Sequence, residues 1–183
     1  MLTTERLILR PWMKEDLELF TAMNADPKVM EYFLGTKSPE ESKKEMEVLE
    51  KHIEKYGWGF WAVELSQSGQ WIGMIGLKHV AIVAPFTPAV EIGWRLSHPF
   101  WGKGYATEGA LASLKYGFEA LLLPEIVSYT PVQNMRSRRV MEKIGLSHDL
   151  KDDFNHPRLP EGHPLRRHVL YRLKRSDWEK KGQ

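Results

Sequence analysis

Apolar residues are concentrated in six short stretches of the chain, which predict β-strands. In the first of them Leu7 and Leu9 alternate with Ile8 and Arg10. The stretches are "TERLILRPW" (4–12), "GFWAVEL" (59–65), "WIGMIGLKHV" (71–80), "AVEIGWRLS" (89–97), "EIVSYT" (125–130) and "RHVLYRL" (167–173). Gln67, Ser68 and Gly69 separate the second stretch from the third. A short polar connection ending in glycine is typical of a hairpin, so we expect these two strands to pair.

Between the strands, apolar residues recur every three or four positions, which predicts helices. The clearest helix begins at Ser38, which can cap it, with Pro39 in the first helical position and Glu41 in the third. We expect this helix to end near Gly57. Further helices are expected over residues 14–26, after residue 104, and over residues 134–145.

The predicted order of elements is a strand, two helices, three strands, a helix, a strand, a helix and closing strands. This order favours a mixed α/β (α+β) fold around one sheet. The length of 183 residues favours a single domain over residues 1–183. Residues 152–167 are rich in proline and histidine, so we expect a long loop there, and loops of that length are often functional.

Composition narrows the chemistry. The chain has no cysteine, which excludes disulfides, cysteine zinc sites and a thiol nucleophile, and favours a cytoplasmic location. The first residues show no apolar segment of a secretion signal, and no apolar run is long enough to cross a membrane. The formal net charge of +2 suits a small anionic ligand and disfavours nucleic acid or a membrane surface as partner.

Two glycines, Gly102 and Gly104, precede the predicted helix after residue 104. A glycine-rich turn between a strand and a helix can hold a phosphate group, because the unpaired amides of the helix start point outward. Thr107 could add a hydroxyl donor. A tight turn that needs positive φ and binds nothing is the alternative, and the common nucleotide-binding glycine motifs do not fit this stretch.

A second polar pair, Asn134 and Ser137, lies at the start of the helix over residues 134–145. Their spacing places both side chains on one side of that start, next to the end of the preceding strand. Asn134 can act as the N-cap, with Ser137 as the third helical residue. Capping alone and contact with a ligand are both compatible with this pattern.

Taken together, "TERLILRPW", "EIGWRLSHPFWGKGYATEG" and "NMRSRRVMEKIGL" resemble the GCN5-related N-acetyltransferase (GNAT) superfamily, and in particular its RimJ/RimL-like branch of ribosomal-protein N-terminal acetyltransferases. The resemblance covers most of the chain from Thr3 to Leu146, and the order and spacing of the three pieces also match. One position departs from the usual superfamily pattern: Pro99 stands where glutamine or arginine is common.

The resemblance implies a twisted mixed sheet that splays open between the fourth and fifth predicted strands to admit acetyl-CoA, with no metal. The pyrophosphate of acetyl-CoA would rest on backbone amides of Gly102, Lys103, Gly104, Tyr105, Ala106 and Thr107. Its pantetheine arm would bond like an extra strand to backbone near Trp94, Arg95 and Leu96. Asn134 and Ser137 would contact the arm from the other side.

The resemblance also implies direct acetyl transfer to a primary amine in a ternary complex, catalysed mainly by positioning. Glu91 is the candidate general base and acceptor contact; the alternative is that it pairs with an arginine and is structural. The helix over residues 134–145 lacks the tyrosine that many relatives use as the acid for the thiolate, so Ser137 or water would serve.

The acceptor is left open between a protein N-terminal α-amine and a small-molecule amine. In the superfamily the early helices usually shape acceptor specificity, so Trp12 and Tyr32 are candidate acceptor contacts. The spacing of His156, His163 and His168 fits no zinc site. A homodimer is left open, and a non-catalytic acyl-CoA-binding module with the same fold is the alternative function.

Overall fold

A computed structural model describes residues 1–181, which divide into two compact units. The first unit comprises Met1–Lys78 and Gly93–Ser113. The second comprises His79–Ile92 and residues 114–181.

The strands are β1 (Leu2–Thr3), β2 (Leu7–Arg10), β3 (Phe60–Leu65), β4 (Trp71–His79), β5 (Val90–Leu96), β6 (Glu125–Pro131), β7 (Ser147–His148), β8 (Phe154–Asn155) and β9 (Arg167–Lys174). The helices are α1 (Asp16–Ala25), α2 (Pro39–Tyr56), α3 (Tyr105–Lys115), α4 (Met135–Lys143) and α5 (Arg175–Lys181). A π-helical turn over Tyr116–Ala120 continues α3.

In the first unit, β1, β2, β3 and β4 follow one another across the sheet, and each pairs antiparallel with the next. The second half of β5 lies beside β4, where the amide of Ser97 donates to the carbonyl of Ile72 at 2.9 Å. Residues of α1, α2 and the strands form one apolar core. Its buried members include Trp12, Phe20, Met23, Met30, Met46, Leu49, Phe60 and Met74.

In the second unit, the first half of β5 runs parallel to β6, with Glu91 opposite Val127. Strand β9 is antiparallel to β6 along its length, from Glu125 opposite Lys174 to Pro131 opposite His168. The short strands β7 and β8 also pair with β9. The buried residues Ile82, Val127, Phe154 and Leu170 form its apolar cluster.

Helix α2 begins where the sequence predicts. The Ser38 hydroxyl accepts from the Glu41 amide at 3.2 Å, and the Glu41 carboxylate accepts from the Ser38 amide at 2.7 Å. Gly57 ends the helix with φ +77°. The capping box and the glycine stop are therefore both confirmed.

The predicted fold class is confirmed: the fold is mixed α+β, with an open sheet of many strands flanked by helices. Several short elements differ from the prediction. Helix α5 follows β9 directly, and residues 152–167 contain β8 rather than loop alone. Within residues 1–181, no helix has both the length and the apolar character needed to span a membrane. The single domain over residues 1–183 stays a prediction.

Candidate functional site

The turn before α3 has the backbone that only glycine adopts easily. Gly102 has φ +73° and Gly104 has φ +84°, both in the left-handed region. A Cβ added at Gly102 would meet no atom within 4 Å, so the space in front of it is open. Helix α3 starts at Tyr105, and the first amides of a helix have no partner within the helix. Residues 102–107, called the cup below, thus join a turn with two left-handed glycines to the start of a helix, with open space in front of Gly102. Their binding to a phosphate stays a prediction.

Arg6 and Glu108 bracket this cup, and the sequence did not single them out. Glu108 Oε1 accepts from the Thr4 hydroxyl at 2.6 Å and from the Arg6 amide at 2.9 Å. Glu108 Oε2 accepts from Arg6 Nε at 2.6 Å, and Arg6 Nη1 donates to the carbonyl of Lys103 at 3.0 Å. Burial would raise the pKa of Glu108, but the bonds from Thr4 and Arg6 hold it below its ordinary value.

The backbone N–H and C=O groups of successive residues in the second half of β5 face opposite edges of the strand. The amide of Ser97 donates to β4, and a Cβ on Gly73 of β4 would lie 2.2 Å from the carbonyl oxygen of Arg95. The backbone N–H and C=O groups of Arg95 and Ser97 therefore face β4. Trp94 and Leu96 therefore direct theirs to the opposite edge. The Leu96 carbonyl accepts from the Trp101 indole at 2.7 Å. Of the three predicted pantetheine contacts, Trp94 has the most suitable backbone geometry, and Arg95 the least.

The side chain of Arg95 is buried, with 7% exposed, and belongs to a polar network of the first unit. It donates to Asn24 Oδ1 at 2.7 Å and to Glu45 Oε2 at 3.2 Å, and it stacks on the ring of Phe33 at 4.4 Å. Burial would raise the pKa of Glu45, but the charges of Arg95 and Lys37 hold it below its ordinary value. Arg95 thus ties α1 and α2 to β5 by its side chain.

The two predicted acceptor contacts differ in position. Trp12 is buried, with 8% exposed, and its indole donates to the carbonyl of Phe60 at 2.8 Å. It packs edge-on against Phe20, so it is a core residue, and its acceptor contact stays a prediction that this burial does not favour. Tyr32 is partly buried in the segment between α1 and α2, beside Phe33.

In the second unit, Glu91 accepts a hydrogen bond from the hydroxyl of Tyr129. Since Glu91 lies opposite Val127 in a parallel pair, Glu91, Val127 and Tyr129 share one face of the sheet. Burial and the neighbouring carboxylate raise the pKa of Tyr129, so the phenol stays protonated and acts as a donor. Sequence reasoning missed this tyrosine, and the alternative that Glu91 is the structural partner of an arginine stays a prediction.

Aromatic and imidazole rings surround Tyr129. The rings of Phe86, Phe154 and His168 lie 5.7, 5.7 and 6.1 Å from it. His168 is buried, and burial lowers its pKa to about 4, so it is neutral at pH 7. Burial also lowers the pKa of His156, whose ring lies 4.9 Å from that of His168. His156, in the predicted loop, and His168, on β9, thus belong to an uncharged aromatic cluster beside Glu91.

The start of α4 has the predicted capping geometry. Asn134 Oδ1 accepts from the amide of Ser137 at 3.2 Å, and Asn134 Nδ2 donates to the Thr130 hydroxyl at 2.9 Å. Capping therefore engages the Asn134 side chain, while a role of either residue toward a ligand stays a prediction. Among residues 1–181, no group of three side chains that could hold a metal ion occurs.

Three comparisons place this geometry among known proteins. The family model described as an acetyltransferase (GNAT) domain matches residues 6–147. The chain is 31% identical over 193 residues to the FsC-acetyl coenzyme A-N(2)-transacetylase of Aspergillus fumigatus, covering 97% of this chain and 77% of that one.

Two solved structures are similar in fold. The acetyltransferase of Agrobacterium tumefaciens is 32% identical with a TM-score of 0.75, covering 94% of this chain and 92% of that chain. The spermidine N-acetyltransferase of Vibrio cholerae, solved with CoA and spermine, is 21% identical with a TM-score of 0.74, covering 96% and 99%. At that identity the second likeness concerns the fold alone.

Proposed function

The chain belongs to the GNAT family of N-acetyltransferases, and we propose that it transfers acetyl from acetyl-CoA directly to a primary amine in a ternary complex. The observation that carries the proposal is the turn of Gly102 and Gly104 at the start of α3. Its two left-handed glycines and the open space at Gly102 are what a diphosphate needs to approach backbone amides. The fungal relative's name includes acetyl coenzyme A, which supports the same cofactor here.

The pantetheine arm would bond to the edge of β5 that faces away from β4, chiefly through the N–H and C=O of Trp94. The contacts predicted for Arg95 and Leu96 are weaker parts of the proposal. The Arg95 carbonyl faces β4, and the Leu96 carbonyl already accepts a hydrogen bond from Trp101. Asn134 would contact the arm through the hydrogen-bonding positions of its side-chain amide that its bonds to Ser137 and Thr130 do not use.

Glu91 is proposed as the general base. It lies on β5, three residues before Trp94 in the sequence. An N-terminal α-amine has a pKa of about 8 and costs about 1 kcal/mol to deprotonate at pH 7, whereas a lysine amine costs about 5 kcal/mol. A carboxylate held by Tyr129, acting through water, suffices for the first case.

Ser137 or water is proposed as the acid that protonates the departing thiolate. A free thiol has a pKa of about 8.5, so its thiolate needs little help to leave near neutral pH. We therefore expect a small rate loss, about threefold, for Ser137→Ala.

The acceptor is proposed to be a protein N-terminus or a small amine. The sequence resemblance to the RimJ/RimL-like branch supports the first class, and the spermidine N-acetyltransferase of similar fold, solved with CoA and spermine, illustrates the second. Tyr32 is the proposed acceptor contact in the first unit. A single domain over residues 1–183, a homodimer and a cytoplasmic location remain predictions.

Turnover of acetyl-CoA tests the proposal, with thiol release as the readout. The purified chain is screened against peptides that differ in their first residue and against a panel of small amines. We expect release above the hydrolysis background with at least one acceptor, and about a hundredfold loss in Glu91→Gln. Glu47→Gln, at an exposed position of α2, is the matched control and should retain full activity.

The alternative, an acyl-CoA-binding module without catalysis, predicts a different result. It would bind coenzyme A, turn over no amine of either class, and show no difference between Glu91→Gln and Glu47→Gln.

A further inference from the structure

Glu108 is held by residues that lie far from it in the chain. Its two oxygens accept from the Thr4 hydroxyl, the Arg6 amide and Arg6 Nε, at 2.6, 2.9 and 2.6 Å. Its side chain is only 18% exposed. The turn between β1 and β2 is thereby fixed to the first turn of α3.

Arg6 has a second set of contacts, all with the glycine turn. Its Nη1 donates to the carbonyl of Lys103 at 3.0 Å, and its guanidinium carbon lies 4.8 Å above the ring of Tyr105. A Cβ on Gly104 would lie 3.3 Å from Arg6 Nη2. One guanidinium thus contacts Lys103 and Tyr105, on either side of Gly104, while it is itself held by Glu108.

The contact with the Lys103 carbonyl determines the direction of an amide. A peptide group is planar and trans, so its C=O and N–H point in opposite directions. With the Lys103 carbonyl bonded to Arg6, the N–H of Gly104 must point away from Arg6. That is a direction in which an amide can serve an anion without competition from the guanidinium.

We propose that Arg6 and Glu108 form a clamp that orients the Gly104 amide for the diphosphate of coenzyme A before the cofactor arrives. The inference rests on the proposed function, because it assumes that the diphosphate binds at this turn. Both are positioning residues: Arg6 holds the backbone, and Glu108 holds Arg6. The clamp lowers the entropy cost of binding by fixing the donors in advance.

A model based on charge alone makes the opposite prediction for one variant. Glu108→Gln removes a negative charge beside the cup, so simple attraction would tighten the binding of an anion. The clamp predicts weaker binding, because Arg6 loses the carboxylate that holds it in place. Arg6→Lys preserves the positive charge but cannot bond both Glu108 and Lys103 in the same planar geometry, so it should not restore affinity.

The experiment is calorimetric titration of coenzyme A into the full-length wild type, Arg6→Gln, Arg6→Lys and Glu108→Gln. Lys51→Gln, at an exposed position of α2, is the charge-matched control for Arg6→Gln. We expect the dissociation constant to rise about tenfold in all three clamp variants and to stay unchanged in the control. Amide hydrogen exchange over residues 102–107 should be faster in the variants without ligand, and kcat at saturating acetyl-CoA should fall less than threefold.

Equal or tighter binding by folded Glu108→Gln would overturn the clamp. So would unchanged hydrogen exchange over residues 102–107 in folded Arg6→Gln. If either variant fails to fold, Thr4→Val removes one bond to Glu108 at constant charge and should weaken binding about threefold, and unchanged binding there would also reject the clamp. No heat from coenzyme A with the wild type would instead reject the proposed function, so the two failures are distinguishable.

Discussion

The buried imidazole of His168 should make the stability of the chain depend on pH above the range where carboxylates titrate. Burial lowers its pKa from 6.5 to about 4, the bond of its ring to the Arg166 carbonyl opposes that shift, and neighbouring His156 adds to it. Between these two values the unfolded chain binds a proton at this position and the folded chain does not. Acid therefore favours unfolding as the pH falls from about 6.5 to about 4.

The size of this effect follows from the two pKa values. Each unit of difference contributes about 1.4 kcal/mol, so the full contribution at neutral pH is about 3 kcal/mol. About 2 kcal/mol of it should be lost between pH 7.5 and pH 5. The residue is 6% exposed, so solvent screening reduces this figure little.

Urea unfolding of wild type and His168→Phe, followed by tryptophan fluorescence between pH 5 and 7.5, measures this contribution. Phenylalanine suits the aromatic surroundings but leaves the Arg166 carbonyl without its donor, which lowers stability equally at every pH. The difference in the free energy of unfolding between the two proteins should therefore shrink by about 2 kcal/mol toward pH 5. His98→Gln, at an exposed position, should follow the wild type. A wild-type minus His168→Phe difference that is constant across this range would refute the reasoning.

Three further predictions concern local contacts. Glu45→Gln leaves the buried Arg95 without a charged partner from α2, and should lower the free energy of unfolding by about 2 kcal/mol in urea; an unchanged value would mean that Asn24 alone satisfies the guanidinium. Ser38→Ala removes the N-cap of α2 and should cost about 1 kcal/mol by the same measurement, and no loss would show that the cap is redundant. Tyr129→Phe removes a donor that favours the ionised carboxylate of Glu91, so the acid limb of the pH profile of kcat/KM should move to higher pH, and an unmoved limb would show that the tyrosine does not act on the base.

Features determined by a few neighbouring residues were predictable from the sequence. The cap of α2 involves only residues 38–41, and the N-cap of α4 only residues 134–137. Four consecutive residues are therefore enough to predict each cap. The strand positions follow from short apolar stretches bounded by polar or glycine residues, and the hairpin of β3 and β4 from the glycine at position 69. The positive φ of the glycine turn before α3 is local in the same sense.

Elements that depend on distant partners were not predictable. Helix α5 has only seven residues, and its Trp178 packs on Phe118 at 5.6 Å between ring centres, a contact between residues far apart in the chain. Strands β7 and β8 have two residues each and exist through pairing with β9. No local pattern encodes such contacts.

The same reason explains what was missed in the candidate site. Arg6 and Glu108 are 102 positions apart, and Glu91 and Tyr129 lie on different strands. Arg6 lies in the motif "TERLILRPW" and Glu108 in the motif "GKGYATEG". Their opposite charges, in two separate motifs, were the only feature of the sequence that could have indicated this ion pair. The sequence does not show whether Trp12 is a core residue or lines a ligand groove, because aromatic residues are common in both places.

The central claim is that a diphosphate rests on the amides of the glycine turn before α3, and titration of coenzyme A into Gly102→Ala tests it most directly. A Cβ at Gly102 enters open space at φ +73°, so it costs about 1 kcal/mol of backbone strain and clashes with no atom of the chain. Gly69→Ala is the matched control, at φ +66° and equally open. The account predicts that Gly102→Ala weakens coenzyme A binding at least about tenfold while Gly69→Ala binds like the wild type. Equal affinity of the two variants would contradict it.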